Sequence, residues 1–418
     1  MKSDNPHMFQ YLTEIVEKGF PLPTHTESVI IGDFVWVQSY SISAIKNSTY
    51  VASGQESVKV GFFFDGPIYP IRNGACYTLT NLMRALKESN KVNPILICCY
   101  RGWDSIEEYF NRAFSSALIN PVDYYEETGL LEDIILKVGI EIAQFYDTEL
   151  LVKIGPRLKK IGVKLVLEVQ NINHILLKRL GVPKFDIEQA IDYEKQAFSL
   201  ADRILCRSQV DLDQAIEQGA QKNKSKIYRG GIFVEDFQFS PIRGKYKLLF
   251  LGHMYYQPNE NAFNAILRHI LPKLDDRYSL TIIGIAPKEM IEKHTSERIK
   301  FKGGIDNLSE ELLNYDIALA PIIEGSGTRL KVLDYMASGM PIIATDIAVE
   351  GLASEITKYI YVENNIKNYA KIINEISSTN NDIRKDNVIK ARSYVKKEYN
   401  FPSCIKPFLK TYDSLIGV

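Results

Sequence analysis

The residues whose types and spacing invite chemistry lie in one run, 316–352, which reads DIALAPIIEGSGTRLKVLDYMASGMPIIATDIAVEGL. An apolar stretch at 317–323 leads into Glu324-Gly325-Ser326-Gly327, and helical spacing begins at about Thr328. Glycines there let the backbone turn sharply and bring its amides against a ligand. The unpaired N–H groups and positive dipole end of the following helix favour an anion such as a diphosphate. Ser326 or Thr328 is placed to cap that helix. Arg329 and Lys331 add positive charge at the same point, and a guanidinium can grip phosphate oxygens in a bidentate fork. Asp334, further along the helix, could accept two hydrogen bonds from a ribose diol. Phosphate-binding and diol-binding groups in one run point to a nucleotide.

Other readings fit the same residues. Gly-Ser-Gly before a helix also serves as a bare tight turn, and a basic–acidic pair on a helix also occurs as a solvated face. A dinucleotide-binding loop is a third reading, since Gly325-Ser326-Gly327 supplies G-x-G and Asp346 follows about 20 residues on. Leu330, however, stands at the third glycine's place, and the preceding strand comes late in its domain. The sequence holds no G-x-x-x-x-G-K-[ST] loop.

The elements that must position this run alternate along the chain. Apolar stretches at 58–64, 94–100, 149–154, 163–169 and 203–206 read as strands buried on both faces, and 77–86 has helical spacing. After a linker at 239–244, a second series of strands is expected at 247–251, 279–283, 299–301, 317–323, 341–345 and 359–362, with a helix at 261–271. Apolar strands separated by amphipathic helices predict an α/β chain of two doubly wound parallel-sheet domains facing across a cleft. The expected borders are an extension at 1–57 packed on the first domain, that domain at 58–238, and the second at 239–400. Within the extension, 8–18 could form a short amphipathic helix, 29–40 is strand-like, and 52–55 is a loop.

Composition narrows the function classes. The 418 residues are 45% hydrophobic and 24% charged, long enough for two or three cores. Fifty basic against 51 acidic side chains, a net charge of −1, argue against a protein built to coat nucleic acid. Five scattered cysteines form no C-x-x-C pair, and the adjacent Cys98 and Cys99 read as core filler on opposite faces of a strand. The first 20 residues lack a basic region followed by an apolar one, so a cytoplasmic protein is expected. Lys159-Lys160 and the run 222–226 could touch anionic lipid head groups at the inner face of a membrane, although such runs are more often solvated faces.

The run GSGTRLKVLDYMASGMPIIAT, with IAVEGL after it, resembles the donor-binding segment of the retaining GT-B glycosyltransferases of family 4, the "group 1" transferases. LLFLGHMYYQPNENAFNAILRHILPKL resembles the start of that family's C-terminal domain, and SLADRILCRSQVDLDQAIEQGA with IYRGGI the end of its N-terminal one. The resemblance covers about residues 58–418 and is stronger in the C-terminal half.

It implies two Rossmann-like domains, with a nucleotide-diphosphate sugar held mainly by the C-terminal one and a glycan or lipid-linked acceptor by the N-terminal one. The amides at Gly327, Thr328, Arg329 and Leu330, with Lys331, would hold the diphosphate. Asp334 matches the second acid of the family's E-x7-E motif and would bind ribose. Ser326 stands where the first acid belongs, so Glu324 is the candidate substitute. Gly303-Gly304-Ile305 would lie against the base, and Asn73-Gly74 would approach the phosphates from the other domain. Gly252 ends the first strand of the second domain; the Arg and Lys usual just after it are His253 and Pro258 here, and Arg72 is another cation available to the phosphates. A family histidine falls near Gln170, with His174 four residues on. The stretch 401–418 would be the closing helix that crosses back onto the N-terminal domain. The resemblance implies no cofactor and no metal, and the one Asp-x-Asp match, Asp211-Leu212-Asp213, lies at a helix start where acids are favoured anyway. The expected activity is metal-independent, retaining transfer of a hexosyl unit, UDP-glucose-like donors favoured, in polysaccharide assembly. A nucleotide-binding GT-B protein without transfer and an NAD-dependent enzyme are the alternatives.

Overall fold

The computed structural model of the chain describes residues 28–31, 34–38, 42–46, 57–66, 68, 74–99, 115–119, 121–241, 243–305, 307–325 and 329–417. The apolar runs become strands of two sheets. In the first, Ser28–Ile31 (β1), Phe34–Gln38 (β2) and Ile42–Lys46 (β3) form an antiparallel edge on Ser115–Ile119 (β6). The rest is parallel: Val58–Phe64 (β4), Val92–Cys99 (β5), Ile142–Phe145 (β7), Lys164–Val169 (β8), Arg203–Cys206 (β9) and Ser225–Ile227 (β10), in the order β6-β5-β4-β7-β8-β9-β10. The second sheet is wholly parallel: Lys247–Leu251 (β11), Ser279–Ile283 (β12), Ile299–Lys302 (β13), Ile317–Ala320 (β14), Ile342–Ala344 (β15) and Tyr361–Val362 (β16), ordered β13-β12-β11-β14-β15-β16. Counting strands within each parallel series, both sheets start 3-2-1-4-5-6, the doubly wound Rossmann-like order. Each therefore has a point where the winding reverses: between β4 and β7 in one, and between β11 and β14 in the other.

Several expectations need correction. Residues 149–154 are not a strand; they lie in the helix Thr148–Lys160, whose Leu150, Leu151, Ile154 and Leu158 are buried at helical spacing. A six-residue apolar window cannot separate the two periods, and the helix tolerates Pro156 inside it. The strand is β7, where the buried Gln144 interrupts the apolar run. The expected helix at 261–271 starts earlier, at Gln257–Ala265, and ends in a wide π turn at Ile266–Ile270. β14 stops at Ala320 because Pro321 has no N–H to continue the ladder. The helix expected from about Thr328 begins at Leu330. The proposed helix at 8–18 and loop at 52–55 lie outside the described residues.

Cys98 and Cys99 are both buried, in hydrophobic clusters on opposite sides of the first sheet. After the second sheet the chain returns: Phe401, Ile405, Phe408 and Tyr412, from the helices Phe401–Cys404 and Lys406–Ile416, join the core that holds Val60 and Leu79 of the first. The two chain crossings run side by side, the Ile232 amide donating to the Tyr399 carbonyl at 2.9 Å and the Phe401 amide to Ile232 at 3.1 Å. A Cβ on Gly231 would stand 2.9 Å from the Tyr399 oxygen, so the crossing has room only for glycine.

Candidate active site

A cleft of about 710 Å³ opens between the two sheets at the carboxyl end of β11, bordered by Gly74, Tyr77, Gln170 and Arg207 on the first domain's side. On the second domain's side it is built from strand ends. β11, β12 and β13 pass into glycine turns that stay hydrogen-bonded: Gly252 N–H to the Ile283 carbonyl at 2.9 Å, and Gly284 N–H to that of Lys302 at 3.0 Å. Gly284 has φ +137°, and a Cβ there would lie 2.1 Å from the Gly252 oxygen, so only glycine allows this approach.

The helix Leu330–Ser338 supplies the cleft's charges. Its N-cap, Arg329, makes no side-chain capping bond to the first helical amides. The Arg329 guanidinium folds back over Gly325, which has φ +99° and where a Cβ would meet Arg329 Nη2 at 2.4 Å. The Lys331 ammonium donates to the Leu251 carbonyl at 2.5 Å and to Asn259 Oδ1 at 2.9 Å, and lies over the Phe250 ring. The Leu251 amide donates to the Tyr335 hydroxyl at 2.7 Å, so side chains of this helix take both backbone groups at the end of β11. Asp334 is 7% exposed and its Oδ1 has no hydrogen-bond partner. Burial pushes the Asp334 carboxyl up to about 7, against the pull of Lys331. Burial, aided by Arg329, lowers Lys331 to about 7.

Buried polar atoms without a partner are the exception in folded proteins. Eight side-chain atoms are in that state among the described residues, and four of them belong to residues that line this cleft: Gln170 Nε2, Arg207 Nη2, Arg329 Nε and Asp334 Oδ1. Three are donors and one is an acceptor. That set suits a ligand with several anionic oxygens and at least one hydroxyl.

The cleft gathers many of the residues singled out from sequence: Gly74, Gly252, His253, Gly303, Gly304, Ile305, Arg329, Leu330, Lys331 and Asp334. Glu324 and Gly325 are not among its lining. The Glu324 carboxylate accepts from Asn261 Nδ2 instead, and the Gly325 carbonyl accepts from Arg179 at 2.8 Å. Asn73, Ser326, Gly327 and Thr328, and the cation Arg72, lie outside the described residues. His174 holds Glu194 through Nδ1 at 2.6 Å and does not line the cleft. Asp211 bonds Ser208, the N-cap of the helix Gln209–Glu217, and Asp213 accepts from Gln209. Lys159 pairs with Asp202 at 3.2 Å.

Sequence reasoning missed Tyr77, Arg207, Asn259 and Gly284. Gly284 carried a readable signal, because it follows β12 as Gly252 follows β11. Arg207 carried none, since one arginine after a strand is ordinary.

A second pocket of about 370 Å³ sits wholly in the first domain, at its own reversal point, lined by Phe64, Asp65, Tyr146, Asp147, Glu149 and Lys153 among others. It shares Ala75, Gln170 and Asn171 with the cleft, so the two spaces adjoin.

Comparison with known proteins bears on the fold and the second domain. Residues 245–379 match the family described as glycosyl transferases group 1. An uncharacterised glycosyltransferase of Methanocaldococcus jannaschii is 22% identical over 246 residues, 53% of this chain and 61% of its own, so the chain spans about three-fifths of that relative. Among solved structures, HepE of Anabaena in complex with UDP is similar with a TM-score of 0.66 at 14% identity, over 85% of this chain and all of that one. Sucrose-phosphate synthase of Thermosynechococcus elongatus reaches 0.68 at 14% identity, over 86% and 99%. The chain has the two-domain GT-B fold, and residues 245–379 of its C-terminal domain match the glycosyl transferases group 1.

Proposed function

We propose that the protein is a retaining, metal-independent glycosyltransferase that takes a nucleotide-diphosphate sugar in the interdomain cleft and a glycan acceptor in the adjoining pocket of the first domain. The observation that carries this reading is the cleft's set of buried atoms without a hydrogen-bond partner, above all Asp334 Oδ1 on a helix whose N-cap side chain makes no capping bond. The helix amides with Arg329 and Lys331 take the diphosphate; Asp334 takes the ribose hydroxyls; Gly303, Gly304 and Ile305 face the base. In the reaction the acceptor hydroxyl oxygen bonds to the sugar's anomeric carbon. The bond from that carbon to the phosphate oxygen breaks with its electron pair, and the hydroxyl proton leaves to phosphate or water. Fixed donors aimed at the departing phosphate stabilise the charge that develops there. UDP-glucose or a close relative is the favoured donor, supported by the UDP bound in the similar HepE, and polysaccharide assembly is the natural setting. Peripheral contact with a membrane through the basic runs belongs to the same proposal; no helix among the described residues is long and apolar enough to cross one.

A thermal-shift panel of UDP-, dTDP-, GDP- and ADP-sugars, with and without EDTA, tests the donor site. A ligand at 100 times its Kd adds about 2.7 kcal/mol. Stabilisation by one nucleotide sugar, unchanged by EDTA, is expected; stabilisation by none of them, or by NAD alone, would refute the reading. One observation favours a second reading, binding without transfer: Glu324, the candidate for the missing first acid, is turned to Asn261 and away from the cleft. Release of free nucleotide only by slow hydrolysis, with no acceptor product across a glycan panel, would select it.

A further inference from the structure

The donor's diphosphate brings at least two negative charges into a cleft where the second domain offers Arg329 and Lys331 at the helix start but no cation just after β11. His253 and Pro258 follow β11, and Lys331 is already tied to Leu251 and Asn259. A fixed cation stands on the opposite wall. Arg207 follows β9 directly, is 5% exposed, and lines the cleft. Its Nε donates to the Tyr228 hydroxyl at 2.7 Å, and the hydroxyl donates to Glu168 Oε1. Glu168 is fully buried and is further held by Gln144 Nε2 at 2.7 Å, and Gln144 in turn by the Tyr412 hydroxyl at 2.5 Å. This chain of bonds fixes the guanidinium plane. Nη2 lies 3.6 Å from Glu168 Oε1, an ion pair without a hydrogen bond.

The position is as specific as the orientation. A Cβ on Gly230 would lie 3.5 Å from Leu330 Cδ2 and 3.9 Å from Arg207 Nη1. The guanidinium and the first residue of the phosphate-side helix thus flank the same glycine, one from each domain.

Resting on the donor-site reading above, we propose that Arg207 is a binding residue for the donor's diphosphate, gripping the β-phosphate from the N-terminal domain and supplying the cation that His253 and Pro258 do not. A buried arginine paired with Glu168 through Nη2 keeps its charge, and Nη1, beside Gly230 and Leu330, is the edge that can reach a phosphate oxygen. Glu168 borders the first domain's pocket while Arg207 borders the cleft, so the pair stands in the wall between the two substrates.

The test compares nucleoside diphosphate with monophosphate, because a merely structural role would weaken both alike. Titration calorimetry on the full chain uses the pairs UDP/UMP, GDP/GMP and ADP/AMP. The variants are Arg207→Gln, Arg207→Lys, and the double Arg207→Gln/Glu168→Gln, which leaves no unpaired buried charge if the first fails to fold. Loss of one charge-assisted contact is expected to weaken the diphosphate about tenfold, with monophosphate affinity within about twofold of wild type and Arg207→Lys intermediate. A diphosphate-to-monophosphate ratio equal to that of the wild type, in whichever of these variants folds, overturns the role of Arg207 alone. A wild-type chain that binds none of the three diphosphates overturns the donor site and this inference together.

Discussion

The two domains start from the same winding and end with opposite chemistry at the reversal point. In each, a helix follows the fourth strand of the parallel series and points its N-terminus at a pocket. In the first domain that helix is Thr148–Lys160, and Asp147 closes it by accepting from the Leu150 amide at 2.9 Å. In the second it is Leu330–Ser338, with Arg329 at the cap and no side-chain bond. A carboxylate already seated on the amides leaves no place for a phosphate and repels one; a start whose N-cap is an arginine that makes no capping bond attracts it. The glycines differ in the same sense. Gly284 is pressed against the Gly252 backbone, whereas Gly66, at the end of β4 with φ +121°, has nothing within 4 Å of its missing Cβ. Fold order therefore sets where ligands go, and the residues at the helix start decide which charge they carry.

The largest way to break this contrast is to fill the glycine turn. Gly284→Ala forces a side chain onto a left-handed backbone and against the Gly252 carbonyl, and should cost about 3–4 kcal/mol in denaturant unfolding. Gly66→Ala, strained by φ alone, should cost about 1 kcal/mol. Equal losses would show that the second domain's turn has no special tightness.

Next in size is the carboxylate. Asp334→Ala and Lys331→Ala should each lower kcat/KM about a hundredfold, equivalent to about 2.7 kcal/mol, while the fold survives. Wild-type activity in both would remove the site from this helix. Asp334 also has a signature in the free protein. Its folded pKa is raised to about 7, so between about 4 and 7 the folded chain holds a proton that the unfolded chain, with a carboxyl near 3.9, has released. Stability contributed by this group is present below that window and falls as pH rises through it. Lys331, lowered to about 7, acts in the other direction: from about 7 to 10.4 the unfolded chain holds the extra proton, so stability rises with pH. Asp334→Asn should erase the acidic-side fall in urea titrations and leave the alkaline-side rise.

How far the sequence reveals this follows the same division. Strands with long apolar runs, such as 60–64 of β4 and 248–251 of β11, are readable from sequence, and so is the nearness of Arg329, Lys331 and Asp334 at one helix start, because local spacing fixes it. β7 is not, since Gln144 breaks its apolar run in order to hold Glu168 and Tyr412 from distant segments. Arg207 is invisible for that reason too: its meaning comes from Leu330 and Glu168, which only the folded chain brings to it. Glu324 shows the converse case. Proximity in sequence to the glycine turn suggested a sugar contact, and Asn261, 63 residues away, claims its carboxylate.

A smaller effect is expected from uncapping the first domain's helix. Asp147→Ala removes the bond to Leu150 and should cost about 1 kcal/mol, with Asp147→Ser recovering most of it. Nucleotide affinity should not change, because that helix start faces the other pocket. A parallel loss of UDP binding would mean that the two reversal points are not chemically separate.

The smallest expected effect lies where the domains meet. Arg179, from the helix Asn173–Arg179, donates to the Gly325 carbonyl at 2.8 Å and to both oxygens of Glu350, at 2.8 and 3.1 Å. Half-exposed ion pairs of this kind contribute about 0–1 kcal/mol, so Arg179→Gln should barely move the unfolding midpoint. Its effect should fall on the turn instead. Gly325 lies under the Arg329 guanidinium, and releasing its carbonyl loosens the peptide that carries Arg329 toward the phosphate. Donor KM should rise about two- to threefold, below 1 kcal/mol, with kcat nearly constant and acceptor KM unmoved. A change in acceptor KM of the same size would place Arg179 in the closure of the whole cleft rather than in the shape of the phosphate turn.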